Sequence, residues 1–135
     1  MREVAVEGFV GESPARVRQH LTPERVVAYE GSFEVDRVET AGDATFVTAT
    51  GPGLELTLRF EEREGGLYYT QEGDAGPFAA METWVDVSPE DEGSRVRLAS
   101  AVELAAPLPF GDRLAGWKRR GELKRALEAL RTDVE

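Results

Sequence analysis

The sequence predicts an α+β fold: a curved seven-stranded antiparallel sheet, two short helices after its first strand, and a long C-terminal helix. Three observations predict it. Apolar residues alternate with polar ones in seven stretches, the signature of strands with one buried face. Two helix starts with capping residues follow the first stretch. The last stretch gives way to a helical run that closes the chain. The connections between the later strands are short, so sequential neighbours pair as antiparallel hairpins.

The elements follow in order. Val4 and Val6 alternate with Ala5 and Glu7 as a first strand, and Gly8 and Gly11 are expected to loosen the backbone after it. Ser13-Pro14 reads as an N-cap with proline at the first helical position, where its missing N–H costs nothing. Val17 and Leu21 share that helix's apolar face. Thr22-Pro23 repeats the start, Glu24 sits in the first turn, Val26, Val27 and Tyr29 supply the apolar side, and Gly31 stops the helix.

From Ser32 the period becomes two. Phe33 and Val35 share a face, with Val38 after an expected bulge. Phe46 to Thr50 follows, then a turn at Gly51-Pro52-Gly53. Leu54, Leu56, Leu58 and Phe60 give the clearest apolar-in, polar-out strand. Glu64-Gly65-Gly66 turns the chain into Leu67 to Glu72, and a longer loop runs from Gly73 to Pro77. Phe78 to Val87, a turn over Ser88 to Gly93, and the series Val96, Leu98, Ser100, Val102 and Leu104 complete the sheet. Pro107 and Pro109 end it and set up the last helix, from Phe110 to about Asp133.

That helix carries two apolar stripes. Phe110, Leu114, Trp117 and Gly121 form one, and Leu123, Leu127, Leu130 and Val134 the other. At 3.6 residues per turn the stripes point about half a turn apart. Either the helix kinks near Gly116 or Gly121, or its first half is a separate turn, or the first stripe faces something other than the sheet core.

Composition bounds the function. The 135 residues suit one domain, 1–135, with a core that needs no staples. No cysteine is present, so disulfides and thiol chemistry are excluded. The start lacks a signal peptide's basic and apolar pattern, and no run approaches the roughly 20 apolar residues of a spanning helix, which suggests a soluble cytoplasmic protein. Against 26 acids stand 16 bases, for a net charge of −10, which disfavours nucleic acid as a partner. Such a surface suits a salt-rich cytoplasm, or simply an acidic protein from a GC-rich genome. The charge is uneven: residues 1–109 hold 21 acids and nine bases, residues 110–135 five acids and seven bases. The segment Trp117-Lys118-Arg119-Arg120 would suit an anionic surface, including peripheral contact with a membrane, or a partner protein.

The layout is similar to the START-like, or SRPBCC, superfamily, which includes polyketide cyclase/dehydrase-type proteins, plant-type carriers of hydrophobic ligands and coenzyme-Q-binding proteins. The resemblance runs through the whole chain. It rests on the Ser13-Pro14-Ala15-Arg16-Val17 helix opening, the Glu92-Gly93-Ser94-Arg95-Val96 hairpin and the closing Leu123-Lys124-Arg125-Ala126-Leu127-Glu128-Ala129-Leu130 helix. Where related chains have tryptophan-rich text before the second strand, this one has Val26-Val27-Ala28-Tyr29, so no subfamily is assigned. The resemblance implies a helix-grip fold with an apolar cavity between sheet and last helix. It does not fix a reaction.

No metal site, phosphate loop or nucleophile elbow stands out. His20 is the only histidine, and Thr22-Pro23 breaks the helix between it and Glu24. No cofactor is expected. The expected partner is a small hydrophobic molecule (lipid, isoprenoid or polyketide-like), held by Phe46, Leu58, Phe60, Tyr69, Phe78, Leu114 and Trp117. The same side chains would equally fill a closed core. A cyclase/dehydratase-type enzyme is the alternative, with Tyr69 as the proton-transfer group and Glu82 behind it. Glu82 and Asp86 flank Trp84 on one strand face and can instead pair with Arg95 or Arg97 across a hairpin.

Overall fold

The computed structural model describes residues 1–73, 78–104 and 109–135. Seven strands form one antiparallel sheet: β1 (Arg2–Val10), β2 (Glu34–Ala41), β3 (Ala44–Gly51), β4 (Leu54–Arg63), β5 (Gly66–Glu72), β6 (Phe78–Glu90) and β7 (Gly93–Leu104). Their order across the sheet is β1-β7-β6-β5-β4-β3-β2. Strands β2 to β7 form successive hairpins, and β1 adds to the far edge beside β7. Helices α1 (Pro14–His20) and α2 (Pro23–Glu30) bridge from one edge strand to the other, and α3 (Gly111–Val134) lies in the concave side.

The local chemistry behind the two short helices matches the sequence reading. The Ser13 hydroxyl accepts from the Arg16 amide and Thr22 from the Arg25 amide, each at 3.3 Å, with Pro14 and Pro23 opening the first turns. Gly31 ends α2 at φ +76°, a conformation that favours glycine. The bulge expected before Val38 falls between Val35 and Arg37. The loop expected over Gly73 to Pro77 and the strand end at Pro107 fall largely at residues 74–77 and 105–108, outside the described residues.

Two expectations are corrected. Gly8 does not end β1; it pairs with Val96, and the strand continues to Val10. Its missing Cβ instead makes room for α3, because a methyl there would meet the Arg131 guanidinium and stand 3.2 Å from Leu127. The turn expected over Ser88 to Gly93 is shorter: β6 runs through Pro89 to Glu90, and Asp91 and Glu92 make the turn at positive φ. A two-pronged ion pair from Arg95 to Glu90, at 2.8 and 3.0 Å, holds that register.

The α3 helix resolves the two stripes. Leu123, Leu127, Leu130 and Val134 are buried against the sheet. Continued toward the N-terminus, the same face presents Glu122, Arg119, Gly116, Ala115 and Gly111, all buried. The Phe110–Leu114–Trp117 stripe faces solvent, the third of the arrangements that the spacing allows. The end of α3 is tied to the sheet and to α2. Arg131 Nε donates to the Phe9 carbonyl at 3.0 Å, the Gly11 amide to the Glu135 carboxylate at 2.7 Å, and the Tyr29 hydroxyl to Asp133 at 2.5 Å.

Leu130→Ala should therefore lower unfolding free energy by about 3 kcal/mol, whereas Leu114→Ala should change it by less than about 0.5 kcal/mol. Urea denaturation at neutral pH reads both, and equal effects would show that the buried face of α3 is misassigned.

Candidate functional site

The inner face of the sheet is mostly apolar, and its main polar cluster lies where β6 and β7 meet below the middle of α3. Thr83 and Ser100, directly opposite in register, replace the expected aliphatic residues there, and both are buried. Above them lies Arg119, only 2% exposed. Each part of its guanidinium is engaged. Nε donates to the Ser100 hydroxyl at 3.1 Å. Nη1 donates to Glu30 at 2.6 Å and to Glu122 at 3.0 Å. Nη2 donates to the Tyr69 hydroxyl at 2.7 Å, to Thr83 at 2.8 Å and to Glu30 at 3.3 Å.

The remaining oxygens of the two carboxylates are also occupied. The Tyr69 hydroxyl donates to Glu30, and Glu122 accepts from the Ser32 hydroxyl and, at 3.0 Å, from Lys118 Nζ. Among the described residues no buried side-chain nitrogen or oxygen lacks a partner. Two carboxylates thus face two cations, and the cluster is close to neutral.

The electrostatics follow from this arrangement. Burial alone would lower the Arg119 pKa, but Glu30, Tyr69 and Glu122 more than offset it and the guanidinium stays charged. Burial pushes Glu122 up, while Arg119, the Ser32 hydroxyl and Lys118 pull it down, leaving it below the ordinary carboxylate range. Burial, together with Glu30, holds the Tyr69 hydroxyl far above its usual pKa despite Arg119, so it remains a neutral donor.

Beside the cluster lies a chamber of about 20 Å³. Val27, Leu56, Leu58, Phe78 and Met81 form its apolar wall, and Glu30, Arg119 and Glu122 its polar end. The space holds about one water molecule. A wider groove of about 840 Å³ opens beside the elbow between α1 and α2, with Leu21, Phe60 and Leu67 at its apolar part and Arg18, Asp43 and Glu61 among its polar lining. Phe60 stacks on Tyr69 with ring centres 4.3 Å apart, so the stacked pair separates the groove from the ion cluster.

Of the residues expected to hold a ligand, Leu58 and Phe78 line the chamber, Tyr69 joins the ion cluster and Phe60 borders the outer groove. The other three lie elsewhere. Phe46 pairs with Glu39 and Arg59 on the convex face, because Val47 and Ala49 take the inward positions of β3. Leu114 and Trp117 point to solvent, because Ala115, Gly116 and Arg119 take the inward side of the helix.

Glu82 does not stand behind Tyr69. It lies on the convex face and accepts from the Tyr68 hydroxyl at 3.0 Å; the carboxylate behind Tyr69 is Glu30. Asp86 is opposite Arg97 on that same face, and Arg95 pairs with Glu90. Arg119, expected in an exposed basic segment, is the most enclosed charge of the described residues.

The sequence did contain signals for the missed residues. Counting back from Leu130 and Leu123 in helical steps of three and four arrives at Arg119 and Ala115. Glu30 follows Val26 and Val27 at the same spacing.

The sequence matches no protein-family model and no curated protein. Solved structures do match. A protein of Thermus thermophilus is 23% identical over 98% of this chain and 97% of its own, with a TM-score of 0.74. A START superfamily protein from Mycobacterium smegmatis, 13% identical over 98% and 96%, also scores 0.74. This chain has the START-like, helix-grip fold. The aromatase/cyclase Zhui from Streptomyces sp. R1128 shares it at 14% identity, over 99% and 96% of the chains, with a TM-score of 0.70.

Because the folded pKa of Glu122 is depressed, its contribution to stability is present at neutral pH and is lost as the pH falls below about 4. Glu122→Gln should therefore be less stable than the native protein at pH 7, and the gap should close as the pH approaches 3. Urea midpoints across that range test this; a constant gap would show that the carboxylate gains nothing from its partners.

Proposed function

We propose that the protein binds a small amphipathic molecule, such as a lipid, isoprenoid or polyketide-like ring, in an opened form of the chamber between sheet and α3. Its apolar body would lie along Leu56, Leu58, Phe78 and Met81, and its polar end would meet the cluster of Arg119, Glu30 and Glu122.

The observation that carries this reading is the cluster's position at one end of an apolar wall. A buried set of ions adds little stability over well-packed apolar side chains of the same volume. It does supply fixed donors and acceptors at a defined depth, which is how ligand sites orient a polar group. At about 20 Å³ the resting chamber admits no such molecule, so binding requires its walls to part. Met81, with an unbranched and adaptable side chain, and Phe78, at the start of β6, are the wall residues best placed to repack. The apparent affinity then carries the cost of populating the open form.

Binding is favoured over catalysis because Glu30 and Glu122 are held as ion-pair partners of Arg119. Each accepts three bonds, which leaves about one lone-pair site on each for a ligand's donor. Both oxygens of Glu30 and of Glu122 take part in these bonds, and the Tyr69 hydroxyl is held neutral between Glu30 and Arg119. A cyclase- or dehydratase-type reaction would need one of them released. The net charge of −10 makes nucleic acid a poor partner. Among the described residues no helix is long and apolar enough to cross a membrane. We place the activity in the cytoplasm, an assignment that rests on the sequence alone.

Native mass spectrometry of the purified protein after incubation with cell extract should recover a bound small molecule, unchanged in mass on release. Phe78→Trp, which fills the chamber, should abolish recovery while leaving the circular dichroism spectrum native. Unliganded protein in both cases would contradict binding, and release of a chemically altered molecule would favour the enzyme.

A further inference from the structure

The first half of α3 has a second face that the ligand chamber does not use. Phe110 is 75% exposed, Leu114 52% and Trp117 76%, the largest cluster of exposed apolar side chains along one element of the described structure. Phe110 also stands at φ +59° as the helix N-cap, with no side-chain capping bond. That backbone region is costly for a bulky residue, and a polar capping residue would serve the helix better.

At 100° per residue, Arg113, Arg120 and Lys124 fall in the same arc as Phe110, Leu114 and Trp117, opposite the buried side of Ala115, Arg119 and Ala126. Between residues 110 and 127 there are only two acids. Asp112 lies 3.6 Å from the terminal amine of Met1, and Glu122 is buried against Arg119. The outward face of this half-helix therefore carries bases and aromatics with no acid among them, on a chain whose first 109 residues hold 21 acids and nine bases.

We propose that this face docks the protein on the surface of an anionic lipid bilayer. Tryptophan and phenylalanine rings beside arginine and lysine are the composition of a helix that lies in the membrane interface, rings among the acyl-chain ends and charges at the headgroups. The long basic side chains reach the phosphates while their stems cover apolar surface. Trp117 stands out on the outer face of the helix, 76% exposed. A fluid interface accepts such a ring, whereas a folded acidic protein would have to offer a matching pocket. A second copy of the chain is disfavoured because a two-fold pairing would set Arg113, Arg120 and Lys124 against their own copies. The acidic remainder restricts docking to this one face and makes it sensitive to salt, since attraction reaches only about 10 Å at 0.1 M ionic strength.

Sedimentation with phosphatidylcholine vesicles, with and without phosphatidylglycerol, tests the proposal independently of any ligand. The protein should pellet with the anionic vesicles at low salt, remain in solution with phosphatidylcholine alone, and be released by high salt. Tryptophan emission should shift to the blue on binding, and Trp117→Ala should remove that shift. The triple variant R113E/R120E/K124E should partition at least about a hundredfold more weakly. Both variants alter side chains outside the core and should keep the native thermal midpoint. Failure to pellet, equal pelleting with both vesicles, or native-like binding by the triple variant would overturn the proposal. So would a dimer in analytical ultracentrifugation that Trp117→Ala dissolves, or binding to poly-glutamate in the absence of vesicle binding.

Discussion

The structure turns on one buried cation. Arg119 comes from the middle of α3 and bonds to the end of α2 through Glu30, to β5 through Tyr69, to β6 through Thr83 and to β7 through Ser100. No other side chain in the described structure ties so many elements together. A guanidinium removed from water is tolerable only where carboxylates and hydroxyls take up its donors, and that need explains the residues around it. Thr83 and Ser100 interrupt two aliphatic faces at paired positions because the cation lies over them. Glu30 ends α2 on its buried side for the same reason.

This arrangement divides α3 in two. The C-terminal half is held by leucine packing in the concave side of the sheet. The N-terminal half presents glycine, alanine, Arg119 and Glu122 inward, and so lies over polar bonds more than over packed methyl groups. Its large apolar residues are thereby left on the outside. The chamber lies along the N-terminal half, and the basic aromatic face is its outer surface. Ligand capture and surface docking would thus use opposite sides of the same helix, with Arg119 holding it in place between them.

The path of the chain was legible because periodicity, caps and turn residues report local geometry. Ser13-Pro14, Thr22-Pro23 and Gly31 bound their helices as expected, and the alternation of Leu54 to Phe60 sets both strand and inward face. The site was less legible, for physical reasons. Charge is ordinarily a mark of exposure, so Trp117-Lys118-Arg119-Arg120 reads as one surface segment, although helical geometry sends Arg119 to the side opposite Trp117. Aromatic size is ordinarily a mark of burial, so Phe46 and Trp117 read as pocket walls. In both places small or β-branched neighbours, Val47 and Ala49 on β3 and Ala115 and Gly116 on α3, fit the close approach of sheet and helix and occupy the inward positions instead. Glu82 and Glu30 were exchanged for a related reason: strand neighbours are visible in a sequence, whereas the end of a distant helix is not.

The central claim is that Arg119 and Glu30 act as a coupled pair within the core. A double-mutant cycle with Arg119→Met and Glu30→Gln, read by urea denaturation, measures that coupling directly. The account predicts that each single variant is strongly destabilised, the double variant much less than their sum, with a coupling of about 2–3 kcal/mol. Additive losses, with coupling near zero, would contradict it.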